Sequence, residues 1–453
     1  MTSIQRAIAA CVCLAFTAVA SALPAKAQSR GGLSLIRDAE IEALLKDYTS
    51  PLLQASGSRS GAVDIRIVND DSFNAFVSGR GLFVHTGLLM QAETPNEVIG
   101  VLAHEIGHIV GGHQLRLRER IESAARAAKI ATFLGVGLAG AGAATGVSGL
   151  GRAGIGLASS AGNFALRDIL RYQRDEEQSA DRTAVRLLKQ SKQSADGMLT
   201  TFNRLARQSN IMAGRVDPYL LSHPTPNERL SRLRAVIGES PYAGRKDDAA
   251  LQRRHDMVRA KIAAYGGSRY GRSLLTGKSL SGDARLYGQA ITTYLYGSPR
   301  KAIPMIDKLA ARLPKDAYVQ EMKGEILLRS GKAAEAVGPF RKAVALDTTK
   351  SGFMRVELGH ALLETGKPDA VREAAEVLQQ GLVRDPGVVA GYPMLARAKA
   401  TLGDEPGAQL ASAEYALRTG RKADARSFAA RAQQSFKRGS PQWLRAQDII
   451  EYK

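Results

Sequence analysis

The amino-acid sequence predicts a mainly α-helical protein with a small β-sheet, in which a globular N-terminal domain precedes an α-solenoid. Two observations predict this fold class. Short segments with the alternating pattern of strands precede a strongly periodic helix early in the chain, and glycines recur at the spacing of a helix pair towards its end. With 453 residues, of which 44% are hydrophobic, the chain is long enough for more than one domain.

Residues 1–27 have the pattern of a secretory signal peptide. A basic residue precedes an apolar stretch at 7–23, and Ala25-Lys26-Ala27 fits a small-x-small cleavage site. A retained membrane anchor is the alternative, but the apolar stretch is short. Both cysteines, Cys11 and Cys13, fall inside this segment, so the mature chain would form no disulfide bond. We therefore expect export to the periplasm.

The region after the signal peptide is predicted to form a helix at 35–55 and a small sheet. Residues 62–68 alternate apolar and polar side chains, as in a half-buried strand. Asn74–Ser78 and Leu82–Thr86 have the pattern of a hairpin. The edge of such a sheet can hold an extended substrate as an additional strand.

The next helix has a clear start signal. Thr94 can act as its N-cap, Pro95 suits the first helical position, and Glu97 completes a capping box. Apolar residues then follow at helical spacing, at Val98, Leu102, Ile106 and Ile109.

Two histidines lie in the middle of this helix. Because His104 and His108 are four residues apart, their imidazoles share one face and can bind one metal ion. Glu105, next to the first histidine, can take a proton from the water that attacks a peptide bond. This pattern is typical of zinc proteases. We expect His113 to point away from the pair and not to bind the metal.

A glycine- and alanine-rich apolar segment, residues 130–166, follows. No charged residue occurs at 130–151, so the length permits a membrane span, but glycine and alanine contribute little transfer free energy. We expect a lid over the active-site cleft or a segment that contacts the membrane, rather than a span.

A catalytic zinc needs a third protein ligand and one open position. Glu177 and Asp181 are four residues apart, so they share a helical face. We predict that Glu177 is the third ligand and that Asp181 accepts a hydrogen bond from a ligand histidine. The neighbouring Asp175 and Glu176 are expected to be solvated.

His223 lies on a turn between Ser222 and Pro224, before a helix that starts near Asn227. From such a turn the imidazole could reach the metal or a substrate oxyanion.

The last third of the chain is predicted to consist of repeats. Residues 266–283, rich in glycine and serine, are predicted to link a metallopeptidase domain at 32–265 to a repeat domain at 284–450. Glycines recur at intervals of 34, 35 and 37 residues, at Gly297, Gly331, Gly366 and Gly403. This period is typical of tetratricopeptide repeats, which bind proteins in a concave groove. An irregular helical domain is the alternative.

These motifs keep the order found in one family. His104–His108, Glu177-x-x-Ala180-Asp181 and Ser222-His223-Pro224, preceded by the predicted hairpin, resemble the HtpX/BepA-like gluzincin metallopeptidases over residues 35–237. The resemblance implies a zincin-like fold with one Zn²⁺ per chain held by the two histidines and Glu177. It also implies that His223 can approach the metal and gate the site, and that Arg229 lies close by.

We therefore predict a periplasmic zinc-dependent endopeptidase with a tetratricopeptide-repeat domain. The BepA type suggests that it degrades misfolded or stalled envelope proteins during outer-membrane protein assembly. Unfolded or misassembled envelope proteins would be its substrates, and the repeats would bind protein partners. The alternative is a chaperone or assembly scaffold that acts through its repeats and has a latent or structural zinc site.

The charge of the chain restricts the other partners. A net charge of +20 can draw an exported protein to anionic membrane surfaces, so peripheral membrane contact is expected. No nucleic-acid module is visible, and aromatic residues make up only 6% of the chain, so we expect no nucleic-acid partner.

Overall fold

The computed structural model describes residues 33–58, 61, 63–126, 129–130, 171–211 and 226–452. The predicted signal peptide, the glycine- and alanine-rich segment from residue 131 onward, and the turn with His223 lie outside the described residues. From Ile36 onward the chain forms one unit, to which both the metal-binding motifs and the repeats belong.

A small sheet surrounded by helices makes up the N-terminal half. The strands are β1 (Leu35–Ile36), β2 (Asp64–Val68), β3 (Ala75–Ser78) and β4 (Gly81–His85). The helices are α1 (Ala39–Ala55), α2 (Thr86–Gln91), α3 (Pro95–Gly111), α4 (113–126), α5 (171–190), α6 (Asp196–Ile211), α7 (Pro226–Gly238) and α8 (Ala249–Gly266).

The sheet has the strand order β1-β2-β4-β3. β2 runs parallel to β4, and β3 pairs with β4 as the predicted antiparallel hairpin, in a register that places Phe76 opposite Phe83. Their rings stack with centroids 4.9 Å apart. Strand β3 is therefore an edge of the sheet, and it packs on α3.

Helix α3 begins where the sequence predicts. Thr94 is its N-cap and accepts a hydrogen bond from the Glu97 N–H at 3.4 Å, with Pro95 in the first turn. The helix ends at Gly112, whose φ of 64° is the left-handed conformation typical of a glycine C-cap. Val98, Leu102 and Ile106 are fully buried, so the histidine pair lies on a helix fixed by the core.

Paired helices make up the C-terminal half. They are α9 (Arg269–Thr276), α10 (Gly282–Tyr296), α11 (Pro299–Arg312), α12 (Ala317–Arg329), α13 (Ala333–Leu346), α14 (Gly352–Glu364), α15 (Pro368–Arg384), α16 (Gly391–Thr401), α17 (Glu405–Arg418), α18 (Lys422–Gln433) and α19 (Pro441–Glu451). From α10 onward each helix packs on the next, which gives the predicted α-solenoid of tetratricopeptide-like hairpins.

The periodic glycines have two structural roles in the solenoid. Gly331, Gly366 and Gly403 lie between helices with φ of 68° to 78°, in the left-handed region that favours glycine. Gly324 lies at a helix crossing, where an added Cβ would approach the Phe340 ring to 2.7 Å. Gly359 has the same role against Leu378.

The predicted linker at 266–283 is not an extended segment. Ser268 caps helix α9, and Leu274 and Leu275 are buried. Gly271 packs so closely on α8 that an added Cβ would lie 2.8 Å from the Ala263 carbonyl oxygen. Glycine composition suggested flexibility here, but this glycine permits close helix packing.

One hydrophobic core continues from the N-terminal helices into the first repeats. It extends without interruption from Ile41 to Ile326. A polar contact crosses the same boundary, because the Tyr287 hydroxyl on α10 donates to Glu40 Oε2 at 3.0 Å. Within the N-terminal half, Lys261 Nζ on α8 lies 2.7 Å from Asp38 and 3.2 Å from the same Glu40. The two halves are therefore joined by packing and not only by the chain.

In the part of the chain that the structure describes, no helix is both long enough and apolar enough to cross a membrane.

We predict that Lys261→Met lowers the free energy of unfolding by about 3–5 kcal/mol, because it leaves the buried Glu40 carboxylate and the half-buried Asp38 carboxylate without their cation. Urea unfolding followed by circular dichroism measures this change, with Lys308→Met on an exposed face of α11 as the matched control. A loss below about 1 kcal/mol would show that the ion pairs of Lys261 with Asp38 and Glu40 do not stabilise the fold.

Candidate metal centre

Three side chains from two helices converge on one point. His104 and His108 come from α3, and Glu177 comes from α5; all three are buried. The Nε2 atoms of the two histidines are 3.0 Å apart. Glu177 Oε2 lies 3.3 Å from His104 Nε2, and Glu177 Oε1 lies 3.2 Å from His108 Nε2. They are the one group of this kind among the described residues.

These distances fit a bound zinc ion. Ligand atoms that each lie about 2.0–2.1 Å from one tetrahedral zinc are about 3.3 Å from one another. If both histidines carry their proton on Nδ1, each Nε2 directs a lone pair at the carboxylate oxygens. Three electron-pair donors facing one another repel unless a cation lies between them, so the donor set suits Zn²⁺.

The closeness of the two helices depends on small residues. An added Cβ on Gly107 would lie 2.8 Å from the carbonyl oxygen of Ala180. Ala180 and Ala184 are fully buried on the same side of α5. Because Gly107 lies between the two histidines and Ala180 lies one turn after Glu177, this contact sets the distance between the carboxylate and the imidazoles.

Asp181 and Arg229 support the first histidine. Asp181 Oδ1 lies 2.9 Å from His104 Nδ1, which favours the tautomer whose Nε2 lone pair faces His108 and Glu177. Arg229 on α7 donates to both oxygens of Asp181 at 2.8 Å, and its Nη1 lies 2.8 Å from Glu177 Oε2. Both carboxylates are thereby held by one buried guanidinium.

These contacts also set the pKa values. Burial alone would raise the pKa of Asp181, but Arg229 and the bond to His104 lower it to about 2. Burial alone would lower the pKa of His104, whereas hydrogen bonds to Asp181 and Glu177 raise it to about 9. The carboxylate is therefore ionised at neutral pH and remains an acceptor for the imidazole.

A second network supports His108, and the sequence prediction missed it. His113 Nδ1 lies 2.9 Å from His108 Nδ1, and His113 Nε2 lies 2.6 Å from Glu176 Oε2. Arg116 donates to Glu176 at 3.0 Å. Burial and the nearby His108 lower the pKa of His113 to about 4, so it is neutral and accepts at Nδ1 while it donates from Nε2.

The expectation that His113 points away was therefore wrong, as was the solvated role expected of Glu176. The error arose because the prediction extended the helical spacing of α3 as far as His113, although the helix ends at Gly111. Gly111 and Gly112 stop that helix, and the reversal at Gly112 brings His113 back against His108. A glycine pair directly before the histidine was the signal that could have revealed this.

Glu105 is also buried, with 1% of its surface exposed. Burial raises the pKa of its carboxyl group to about 7, although His104 and His108 act in the opposite direction. A carboxyl group that titrates near neutral pH can both accept and release a proton.

His223 lies outside the described residues, so its predicted position stays a prediction.

Comparison with known proteins identifies the domain that contains this centre. The model of the family described as "Peptidase family M48" matches residues 36–237. Residues 36–237 form a peptidase family M48 domain. All three converging side chains, both supporting networks and strands β2 to β4 of the small sheet lie inside the M48 domain.

Relatives extend the similarity to the repeats. "Beta-barrel assembly-enhancing protease" of Escherichia coli (strain K12) is 26% identical over 431 residues, which cover 92% of this chain and 84% of the relative. The protein of the same name from Yersinia pestis is 26% identical over 426 residues, 91% of this chain and 83% of the relative. The chain is thus similar to proteases of this kind over nearly its whole length.

Two further matches cover less of the chain. "Metalloprotease YcaL" of Escherichia coli (strain K12) is 32% identical over 177 residues, 39% of this chain and 62% of that protein. The solved "Crystal structure of MamA" aligns with 36% of this chain and 90% of that chain at 20% identity, and its TM-score of 0.28 is too low to bear on the fold. With its M48 domain, the chain is a zinc metallopeptidase that acts on polypeptides.

We predict that His113→Ala weakens zinc binding about 10- to 100-fold, because it removes the acceptor that orients His108. Competition with a chromogenic chelator measures the zinc dissociation constant. His113→Asn, which restores an acceptor, should recover part of the affinity, and Glu119→Gln on the exposed face of α4 is the control. Unchanged zinc affinity in His113→Ala would show that the network does not support the ligand.

Proposed function

We propose that this chain is a zinc-dependent endopeptidase in which His104, His108 and Glu177 hold the metal. The observation that carries the proposal is the convergence of their ligand atoms at 3.0–3.3 Å inside an M48 domain. Zinc bound there would polarise the scissile carbonyl and make the attacking water more acidic. Asp181 and Arg229 would keep the ligands in position, and His113 and Glu176 would do so for His108.

Glu105 would be the general base and then the general acid. It would accept a proton from the attacking water and pass it to the leaving amine. Its raised pKa of about 7 supports both steps, because proton transfer is efficient when the pKa of the catalyst is near the working pH. Its place beside His104 on the rigid helix α3 supports the same role.

His223 would act at the open side of the metal in one of two ways. It would either stabilise the oxyanion of the reaction or, in a resting state, occupy the open position and block it. Its place in the sequence three residues before α7, the helix that carries Arg229, supports a position near the metal.

The physiological role that we propose is quality control in the bacterial envelope. The names of relatives that match over 91–92% of this chain describe proteases that enhance β-barrel assembly. We propose that this chain degrades misfolded or stalled envelope proteins in the periplasm after removal of residues 1–27. Its net charge of +20 supports peripheral contact with anionic membrane surfaces.

The repeats would recruit proteins to the protease. We propose domain limits of 32–265 for the metallopeptidase and 284–450 for the repeats, with α9 as a packed connection. The continuous core from Ile41 to Ile326 supports a rigid coupling between recruitment and cleavage. Protein binding by the repeats is also the basis of the second candidate function, a chaperone or scaffold activity that does not need cleavage.

We predict that Glu105→Gln lowers the rate of casein cleavage by about 10²–10⁴, the usual contribution of a general base. The variant should keep one zinc per chain, because Glu105 is not a ligand in this account. Cleavage at the parent rate would contradict the proposed role. Rescue of a deletion strain by Glu105→Gln would demonstrate the second, non-proteolytic function.

The two roles of His223 predict opposite results for His223→Ala. A latch predicts faster basal cleavage of casein, because the open position is released. A group that stabilises the oxyanion predicts slower cleavage with little change in KM. One purified variant measured beside the parent separates them, and an unchanged rate would exclude both.

A further inference from the structure

The side chain of Gln114 covers part of the outer edge of strand β3. Its Nε2 atom donates a hydrogen bond to the Val77 carbonyl oxygen, and its Oε1 atom accepts one from the Gly79 N–H at 3.2 Å. Among the described strands, β3 pairs with β4 alone, so its other edge is where the sheet ends. One amide side chain therefore occupies two main-chain groups of that edge.

The hydrogen bonds of the hairpin show that these two groups face away from β4. The Asn74 carbonyl oxygen accepts from the His85 N–H at 3.1 Å, so Asn74 directs its carbonyl group at β4. Successive residues of a strand direct their main-chain groups to opposite sides, so Val77 directs its carbonyl group outward. Gly79, in the turn, presents its N–H on the same side, since one side chain reaches both groups.

An added strand would use the same two groups. An extended polypeptide that joins a sheet bonds to the carbonyl oxygens and N–H groups of the edge strand, at a distance of about 4.8 Å between strands. The carboxamide of Gln114 carries the same donor and acceptor as a peptide bond. Because the carboxamide lies in the space of the added strand, both cannot bind Val77 and Gly79 at once.

The Gln114 contact lies where a polypeptide can reach and displace it. Gln114, Ser78 and Gly79 are all exposed to solvent. A displaced amide regains hydrogen bonds to water, so the net cost of releasing two neutral hydrogen bonds is small and corresponds to about a 10-fold change in affinity. The contact is therefore strong enough to compete with a polypeptide and weak enough to be displaced.

The same short turn connects this contact to the proposed metal centre. Gln114 directly follows His113, whose Nδ1 lies 2.9 Å from His108 Nδ1. The reversal at Gly112 places one side chain behind the proposed ligand and the next on the sheet edge. β3 is also the edge strand that packs on α3, the helix with both histidines. A polypeptide that adds to β3 would thus lie beside the helix of the proposed site.

We propose that Gln114 competes with the substrate for the outer edge of β3 and so selects polypeptides that can pair with this strand. A segment that forms main-chain hydrogen bonds along β3 displaces the amide, whereas a segment that lacks N–H groups does not. The inference rests on the proposed function, because the polypeptide that adds to this edge would be the substrate of the endopeptidase. The competition concerns binding, so it can be measured without cleavage.

Peptide binding by the full chain carrying Glu105→Gln tests the competition. The probe is a fluorescein-labelled ten-residue peptide of alternating valine and threonine with a terminal lysine, residues that favour an extended strand, and its anisotropy is measured. Adding Gln114→Ala should tighten binding of this valine peptide about 10-fold, because the edge is released. Ser123→Ala, on an exposed part of α4, is the matched control and should leave binding unchanged.

A second peptide and a second variant show whether main-chain pairing is the cause. Proline in place of each valine removes the N–H groups that pair with a strand, so Gln114→Ala should not change the affinity for this proline peptide. Gln114→Met keeps the length of the side chain without its hydrogen bonds, and should tighten binding of the valine peptide as Gln114→Ala does.

Three results would overturn the proposal. The first is unchanged or weaker binding of the valine peptide in Gln114→Ala, which a merely structural role predicts together with a lower Tm. The second is a gain in Gln114→Ala that is absent from Gln114→Met, because bulk and not hydrogen bonding would then block the edge. The third is an equal gain for the proline peptide.

Casein kinetics separate this proposal from the proposed function. In the chain with Glu105 intact, Gln114→Ala should lower KM for casein about 10-fold with little change in kcat, because the amide competes with binding and takes no part in the reaction. Cleavage with an unchanged KM would overturn the competition. If the parent fails to cleave casein but Gln114→Ala still tightens binding of the valine peptide, the endopeptidase proposal fails and the competition at β3 stands.

Discussion

The close approach of α5 to α3 is the constraint on which the metal centre depends. No side chain at Gly107 separates the helices, and the carbonyl oxygen of Ala180 occupies the space that a Cβ would need. Glu177, one turn before Ala180, can therefore reach the imidazoles of His104 and His108. The burial of Val98, Leu102 and Ile106 holds α3 in the core, so the position of the proposed metal ligands is set by packing.

Each of the two proposed ligand histidines is supported by a carboxylate and an arginine, but the two arrangements differ. His104 contacts Asp181 directly, and Arg229 ties Asp181 to Glu177. His108 reaches Glu176 through His113. The first arrangement is almost fully buried, whereas Arg116 at the end of the second is about half exposed. The network behind His104 is therefore better shielded from solvent than the network behind His108.

Short sequence motifs predicted the elements whose start or pairing depends on residues close together in the chain. Thr94, Pro95 and Glu97 predicted the start of α3, and the two strand-like segments at 74–78 and 82–86 predicted the hairpin of β3 and β4. The Glu177 and Asp181 pair was found because helical spacing places both on one face. The sequence did not reveal the fold-back of His113, the packed helix in the predicted linker or the core shared with the repeats, because these depend on contacts between distant residues that spacing does not encode.

Glu177 is proposed to complete a site for one zinc ion with His104 and His108. Whether it does is measured by the zinc content of Glu177→Ala, determined by mass spectrometry after equilibration at a zinc concentration that saturates the parent. We expect one zinc per chain in the parent and close to none in the variant, with circular dichroism showing that the variant is folded. One zinc per chain in Glu177→Ala, held with the affinity of the parent, would contradict it.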